Sequence, residues 1–196
     1  MVLNKNLPNI LTVFRIAIIP FLMASFYLEG QLYHWVAAIL FFVASITDYF
    51  DGYLARMLHA QSQFGKFFDS MADKLLVTAT IMMLVHFGDV GKYDIFPAIA
   101  IICREILVSG LREFLADVNV SVPVTALARI KTTLQMTALV LLLLGVEGPN
   151  IEQVQQMTDL SLTVLIGRIF LWASALLTLV TGYAYLKAGL KHITTA

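Results

Sequence analysis

The sequence predicts an all-α integral membrane protein in which six transmembrane helices form one bundle. Of the 196 residues, 59% are apolar and only 13% are charged, and the mean hydropathy is +0.82. Such a composition lies outside the range of water-soluble domains. The apolar residues are also grouped into segments approaching the ~20 residues that a helix needs to cross a bilayer. The net charge is zero, so nothing suggests a nucleic-acid partner.

The first three apolar segments lie on either side of a polar stretch. The first begins near Asn9 and contains Pro20, which can kink a helix. The uncharged part of the third, Leu75 to Phe87, is too short to span alone, so its helix should begin near Phe64. The first three spans are therefore predicted at about 9–28, 31–57 and 64–87.

The last three segments are separated by polar loops. Residues 88–94 and 145–159 contain glycines and polar or acidic side chains, as loops do. No soluble domain or internal repeat is evident, so the simplest architecture is a single domain over residues 1–196. Its last three spans are predicted at about 95–116, 125–146 and 160–186.

Basic residues orient the predicted bundle. In an alternating six-span arrangement they collect on one side, and Lys92 is almost alone on the other. By the positive-inside rule, both termini and the polar stretch after the second span face the cytoplasm. We therefore expect a multi-pass protein of the cytoplasmic (inner) membrane. The basic residues on the cytoplasmic side are Lys5, Arg56, Lys66, Arg129, Lys131, Lys187 and Lys191.

Four aspartates occupy the polar stretch. Asp48 and Asp51 are three residues apart, and Asp69 and Asp73 are four apart, so each pair shares one side of its helix. An ionised aspartate at the bilayer centre costs ~2.5–3.5 kcal/mol, so such a cluster requires cations or water. Oxygen ligands at this density suit Mg²⁺ or Mn²⁺. Two such ions ~3.5–4 Å apart could bind a diphosphate.

Small and basic residues beside the aspartates fit a nucleotide diphosphate. Gly52 and Ala55 leave room for a ligand to approach the second helix, and Arg56 can reach a phosphate or a base. The alternative is that the small residues only allow close helix packing, which is common in membranes; this applies above all to Gly65.

The spacing of these residues resembles the signature of the CDP-alcohol phosphatidyltransferase family. The order is Asp48, two residues, Asp51-Gly52, two residues, Ala55-Arg56, eight residues, Gly65, three residues, Asp69, three residues and Asp73. The resemblance implies transfer of a phosphatidyl group from a CDP-linked lipid to an alcohol, with release of CMP. It also implies that the four aspartates hold two ions, that Asp73 is the base for the acceptor hydroxyl, and that the chain forms a homodimer. The implied CDP-lipid site consists of Asp51, Gly52, Ala55, Arg56 and Gly65.

Candidates for acceptor binding occur on the fourth and fifth helices. The stretch "CREILVSGLREF", residues 103–114, contains two arginines and two glutamates that would be costly in lipid. One interpretation pairs Glu105 with Arg112, seven positions apart, as a structural ion pair. The other directs Arg104 or Arg112, together with Lys131, at a phosphate on the acceptor, because guanidinium groups bind phosphate in a bidentate manner.

These segments, with "KTT" and "QM" after Ile130 and the opening "NLPNILTVFRIAIIP", are similar to those of bacterial phosphatidylglycerophosphate synthases. The similarity implies CDP-diacylglycerol as the donor and sn-glycerol 3-phosphate as the acceptor, in preference to serine or inositol phosphate. Asn9, Thr12 and Arg15 are then candidates for contacts with nucleotide or lipid phosphates. Asn9 could equally begin the helix, and Arg15 could extend along it to the membrane interface.

A divalent-cation transporter is the rival class of function, because intramembrane aspartates also mark ion pathways. A transporter should carry its carboxylates near the bilayer midplane on interrupted helices. Here they cluster at one cytoplasmic end beside glycine, alanine and arginine. The pattern therefore favours an enzyme that acts on membrane lipids.

Overall fold

The structure is a computed structural model, and it describes residues 7–29, 32–57, 63–117, 126–145 and 158–193. Six α-helices and no strand occur within these ranges. The helices are α1 (Leu7–Ser25), α2 (Leu32–Met57), α3 (Gln63–Phe87), α4 (Ile95–Asp117), α5 (Ala126–Leu144) and α6 (Thr158–Ile193).

Each predicted span overlaps one of these helices, but α1 ends at Ser25, three residues before the predicted end of the first span. As expected, α3 begins before the motif aspartates, at Gln63, so Asp69 and Asp73 are helical. In the described part of the chain, three helical segments are long and apolar enough to cross a membrane, and two shorter apolar ones lie on α1 and α2. The protein is therefore a helical membrane protein, and six crossings remain a prediction. The three long segments are Phe68–Phe87, Leu127–Leu144 and Leu162–Lys187.

The core of the bundle is formed by apolar side chains from every helix. Leu22, Phe41, Leu76, Leu139 and Leu171 are almost completely buried in it. Large apolar side chains also project outward from the same helices. Helices that are apolar on both their inner and outer sides are expected in a bundle surrounded by lipid.

Two different sets of contacts between helices identify the two ends of the bundle. At the first end, Arg15 in the middle of α1 contacts Asp69 in the first half of α3. At the opposite end, the α3–α4 loop is fastened to α2 and α6: the Tyr33 hydroxyl donates to Asp89 Oδ1 at 3.0 Å, and Trp172 Nε1 donates to Asp94 Oδ1 at 2.8 Å. We call the first end, which carries Asp69 and Asp73, the aspartate end.

The α3–α4 loop is held by buried carboxylates. Asp89 and Asp94 are each only 1% exposed. Besides Trp172, Asp94 accepts from the backbone N–H of Gly91 at 2.9 Å and pairs with Arg168 Nε at 2.6 Å. The loop is therefore tied to α6 by a charged pair as well as by neutral donors.

Candidate active site

Asp69 and Asp73 lie one turn apart on α3 and share a partner on α1. Arg15 Nη1 donates to Asp69 Oδ1 at 2.9 Å and to Asp73 Oδ1 at 3.0 Å. The arginine side chain is completely buried, whereas the aspartate side chains are 39% and 35% exposed. Arg15 thus orients one oxygen of each carboxylate from the interior, while both carboxylates stay accessible.

The buried ion pairs settle one of the alternatives for Arg15. A side chain that extended to the membrane interface would be exposed, but that of Arg15 is 0% exposed, so that interpretation is wrong. A buried guanidinium is costly unless charges compensate it, and the two aspartates supply that compensation. Thr12, three residues earlier on the same side of α1, is also buried.

The remainder of the predicted donor site lies on α2. This helix continues to Met57, so the first half of the motif is helical. Gly65 is half-buried near the start of α3. Contact between the two aspartate pairs stays a prediction, because several of the side chains fall outside the described part. These are the side chains of Asp48, Asp51, Ala55 and Arg56 on α2, and of Asn9 on α1. The surroundings of Gly52 on α2 likewise fall outside the described part.

The accessible carboxylates fit the predicted Mg²⁺ or Mn²⁺ ions in chemistry. Asp69 and Asp73 offer hard oxygen ligands from one side of a helix, which is the donor type that these ions prefer. No group of three or more His, Cys, Asp or Glu suited to a metal occurs among the described side chains. The other two aspartates of the motif are not among them.

A second polar site lies between α4, α5 and α6. It is a cavity of about 400 Å³, and all three predicted acceptor-binding residues, Arg104, Arg112 and Lys131, line it. The lining includes four cationic side chains and one carboxylate, so its net charge suits an anion. The other lining residues are Glu105, Val108, Ala128, Arg129, Thr132, Thr133 and Tyr185.

Glu105 connects the cations of the cavity. Lys131 of α5 is buried and donates to Glu105 Oε1, and Arg104 Nη1 lies 3.5 Å from the same oxygen. Among the described residues, Glu105 therefore pairs with Lys131 and Arg104, and the interpretation that paired it with Arg112 is wrong. Arg112 and Arg129 are exposed at the cavity, where they can offer charge to a ligand.

Helix α3, which carries Asp69 and Asp73, also contacts two of the helices that form the cavity. Lys74 follows Asp73 and donates to Ser70 Oγ at 2.6 Å. The same ammonium group interacts electrostatically with Glu105 and Glu113 of α4. Because α3 also packs against α4 and α5, the aspartate end and the cavity lie on adjoining helices.

Several lining residues were not assigned to the site from the sequence. Arg129 and Thr132 flank Lys131 in the stretch "ARIKTT", so their proximity to it was a usable signal. Tyr185 of the lining had no such signal, and neither did Thr181 one turn before it, because both lie in a long apolar segment of α6. Thr181 nevertheless accepts a hydrogen bond from Arg104 Nη2 at 3.1 Å.

Comparison with known proteins gives consistent matches. Residues 5–180 match the sequence model of the CDP-alcohol phosphatidyltransferase family. A Rickettsia bellii protein named CDP-diacylglycerol–glycerol-3-phosphate 3-phosphatidyltransferase is 50% identical over 192 residues, covering 98% of this chain and 99% of its own length. Proteins of the same name from Rickettsia prowazekii and Escherichia coli are 48% and 42% identical, over 95% and 70% of this chain and 96% and 76% of their own lengths.

Proposed function

Since the chain belongs to the CDP-alcohol phosphatidyltransferase family, we propose that it transfers the phosphatidyl group of CDP-diacylglycerol to sn-glycerol 3-phosphate. The products are phosphatidylglycerophosphate and CMP, a step of phospholipid biosynthesis. The names of the relatives support this reaction over nearly the whole chain. The structural observation that supports glycerol 3-phosphate as the acceptor is the cationic cavity. Glycerol 3-phosphate has a phosphate dianion for these cations to bind, and serine does not.

The donor belongs at the aspartate end. In this proposal Asp48, Asp51, Asp69 and Asp73 hold two Mg²⁺ or Mn²⁺ ions, which when bound neutralise the diphosphate and stabilise the departing CMP oxygen. The accessible carboxylates of α3 support the assignment. Arg15 fixes their orientation from within the bundle. The remaining residues proposed for the CDP-lipid site are Asn9, Thr12, Gly52, Ala55, Arg56 and Gly65.

The acceptor belongs in the cavity. Arg104, Arg112 and Lys131 are proposed to bind its phosphate, since charge-assisted hydrogen bonds from guanidinium and ammonium groups are the strong contacts to phosphate. Glu105 offsets part of this charge and holds Lys131 and Arg104 together. The cavity therefore has fixed cations in its wall and exposed ones, such as Arg112, at its surface.

The proposed transfer needs no reactant other than the donor and the acceptor. The 1-oxygen of glycerol 3-phosphate forms a bond to the lipid-linked phosphorus, and the bond from that phosphorus to the oxygen bridging to CMP breaks. CMP leaves with the electron pair, and the acceptor proton passes to the carboxylate of Asp73. Arg15 contacts Oδ1 of Asp73 and so limits its rotation. Lys131 and Arg104 hold the acceptor phosphate so that the hydroxyl lies near the donor.

The proposed setting is the cytoplasmic (inner) membrane. One domain over residues 1–196 would cross it six times, with both termini and the active site on the cytoplasmic side, and two copies would form a homodimer. Six helices, three of them long and apolar enough by composition in the part that the structure describes, support the crossings. The excess of basic residues at the aspartate end supports the orientation.

The test is an acceptor-swap assay on purified protein in detergent with Mg²⁺ and CDP-diacylglycerol. We expect CMP release with glycerol 3-phosphate and little with serine or inositol phosphate. Chelation by EDTA should abolish the release, and Mg²⁺ or Mn²⁺ should restore it. Equal release with all three alcohols would defeat the acceptor assignment, and full activity in EDTA would defeat the metal assignment.

A matched pair of variants connects this activity with the cavity. Arg112→Gln should raise the KM for glycerol 3-phosphate by about tenfold or more, because a charged hydrogen bond contributes ~1.5–3 kcal/mol. Glu29→Gln, an exposed charge change between α1 and α2, should leave that KM unchanged. An unaltered KM in Arg112→Gln would remove Arg112 from the acceptor site.

A further inference from the structure

The last helix holds the guanidinium group of Arg104 through three neighbouring residues. Thr181 Oγ1 accepts from Arg104 Nη2 at 3.1 Å. The ring of Tyr185 lies beneath the guanidinium, with its centroid 5.8 Å from Cζ, a separation at which a cation–π attraction operates. Gly182 lies between them, and a Cβ there would be 3.0 Å from Arg104 Cγ. Together these three residues form a cradle for one side chain of the cavity.

The hydroxyl of Thr181 is already oriented to receive Arg104. It donates to the carbonyl of Leu177, one turn earlier, at 2.8 Å. Its lone pairs are thereby left to accept from a second group. Thr181 is only 3% exposed, so the direction of that acceptor is fixed by the interior of the bundle.

The carboxylate of Glu105 attracts Arg104 but does not fix the direction of its guanidinium group. Its distance to Glu105 Oε1 is 3.5 Å, at the outer limit for a hydrogen bond. Its Nε has no hydrogen-bond partner within the described part of the chain; that atom is covered by the backbone at Gly182, where a Cβ would lie 3.7 Å away. The orientation of the guanidinium therefore depends mainly on α6.

We propose that Thr181, Gly182 and Tyr185 are positioning residues that hold Arg104 in the geometry required by the phosphate of a small phosphorylated alcohol. The proposal rests on the proposed function and extends it, because it assigns acceptor affinity to a helix outside the aspartate motif. A planar guanidinium binds phosphate through donors in fixed directions. A small rotation of Arg104 therefore weakens acceptor binding while the donor site on α1, α2 and α3 stays intact.

The experiment compares steady-state constants for both substrates in purified variants. Thr181→Val removes the acceptor of the Nη2 hydrogen bond at nearly constant volume, and we expect the KM for glycerol 3-phosphate to rise roughly three- to tenfold. Thr181→Ser retains the hydroxyl and should restore a KM near that of the unaltered protein. In both variants kcat and the KM for CDP-diacylglycerol should change less than about twofold.

A glycine pair provides an independent measurement. Gly182→Ala introduces a Cβ that displaces Arg104 Cγ by a few tenths of an ångström, and it should raise the same KM. Gly110→Ala on α4 is the matched control, because a Cβ there meets no atom within 4 Å. If Gly182→Ala cannot be purified, the two Thr181 variants decide the question alone.

Three outcomes would overturn the proposal. An unchanged acceptor KM in Thr181→Val, an equal rise in the KM for CDP-diacylglycerol, or an equal effect of Thr181→Ser would each show that α6 does not position Arg104 for the acceptor. Unaltered protein that releases no CMP with glycerol 3-phosphate would instead defeat the proposed function, and this proposal with it.

Discussion

Arg15 was a candidate for the donor site from the sequence, but its contacts with Asp69 and Asp73 could not be foreseen. It lies 54 residues before Asp69 and 58 before Asp73, so no local spacing connects it with either. The aspartate pair itself was predictable, because a four-residue separation puts two side chains on one side of a helix. Burial of Arg15 and its choice of partners depend on how α1 packs on α3, which a single sequence does not specify.

Replacement of Arg15 tests whether it orients the aspartates. Arg15→Gln removes the charge that holds two Oδ1 atoms, and the carboxylates would then repel and rotate. A displacement of about 1 Å at catalytic groups costs on the order of 100-fold in rate, so we expect a comparable loss of kcat in CMP release. Arg15→Lys keeps the charge with fewer donors and should lose about tenfold.

The control for Arg15 is Lys92→Gln, which removes an exposed positive charge from the opposite end of the bundle. It should leave kcat unchanged. Folded Arg15→Gln protein with the kcat of the unaltered enzyme would show that the two ion pairs have no part in the reaction.

At the scale of elements, helix positions were predictable because apolar segment length is a strong signal in membrane proteins. The start of α3 at Gln63 followed from the shortness of its uncharged part. The full length of α6, which continues to Ile193, did not follow, because its last turns are basic and resemble a polar tail. The neighbours of each helix were not predictable, since apolar side chains occur on all sides.

Contact between α5 and α6 is the most extensive in the described part of the bundle, and Gly167 is one of the small residues that allow it. A Cβ at Gly167 would lie 3.1 Å from Leu142 Cγ and 3.2 Å from Leu141 Cβ. Gly167→Ala should therefore lower the thermal stability in detergent by roughly 2–4 °C, because overpacking costs more than alanine gains in helix propensity. Gly110→Ala is the control, because a Cβ at this position on α4 meets no atom within 4 Å, and it should not lower the thermal stability. A more stable Gly167→Ala protein would contradict this account of the contact.

Asp94 stabilises the α3–α4 loop through its buried contacts with Arg168 and Trp172. Asp94→Ala leaves Arg168 and Trp172 without their acceptor, and loss of one partner of a buried pair is strongly destabilising. Because Arg168 is 35% exposed and solvent screens its charge, we expect a loss of about 2 kcal/mol, or roughly 4–8 °C in melting temperature. Both KM values should stay unchanged in the fraction that remains folded, since the loop lies at the opposite end from the site. Raised KM values with an unchanged melting temperature would contradict this structural role.

For the whole molecule, the two ends differ in chemistry as well as in contacts. The aspartate end combines carboxylates, the cationic cavity and most of the basic residues. At the opposite end two aspartates are buried: Asp94 pairs with Arg168, and Asp89 accepts from the Tyr33 hydroxyl. The donor motif and the membrane class were predictable from spacing and composition alone. Arg104, Arg112 and Lys131 were predicted as candidates for one binding site. The contribution of α6 to the cavity, Tyr185, was not predicted, because an uncharged side chain in an apolar segment gives no signal.

The orientation of these ends across the membrane can be tested with single cysteines. In a Cys103→Ser background, which removes the only natural cysteine, Lys92→Cys places a thiol in the exposed α3–α4 loop and Lys187→Cys places one near the aspartate end. If basic residues keep the aspartate end in the cytoplasm, a membrane-impermeant maleimide should label Lys92→Cys in intact cells. It should label Lys187→Cys only after the membrane is opened. Labelling of Lys187→Cys in intact cells would reverse the orientation, and the donor and acceptor would then have to reach the site from outside the cytoplasm.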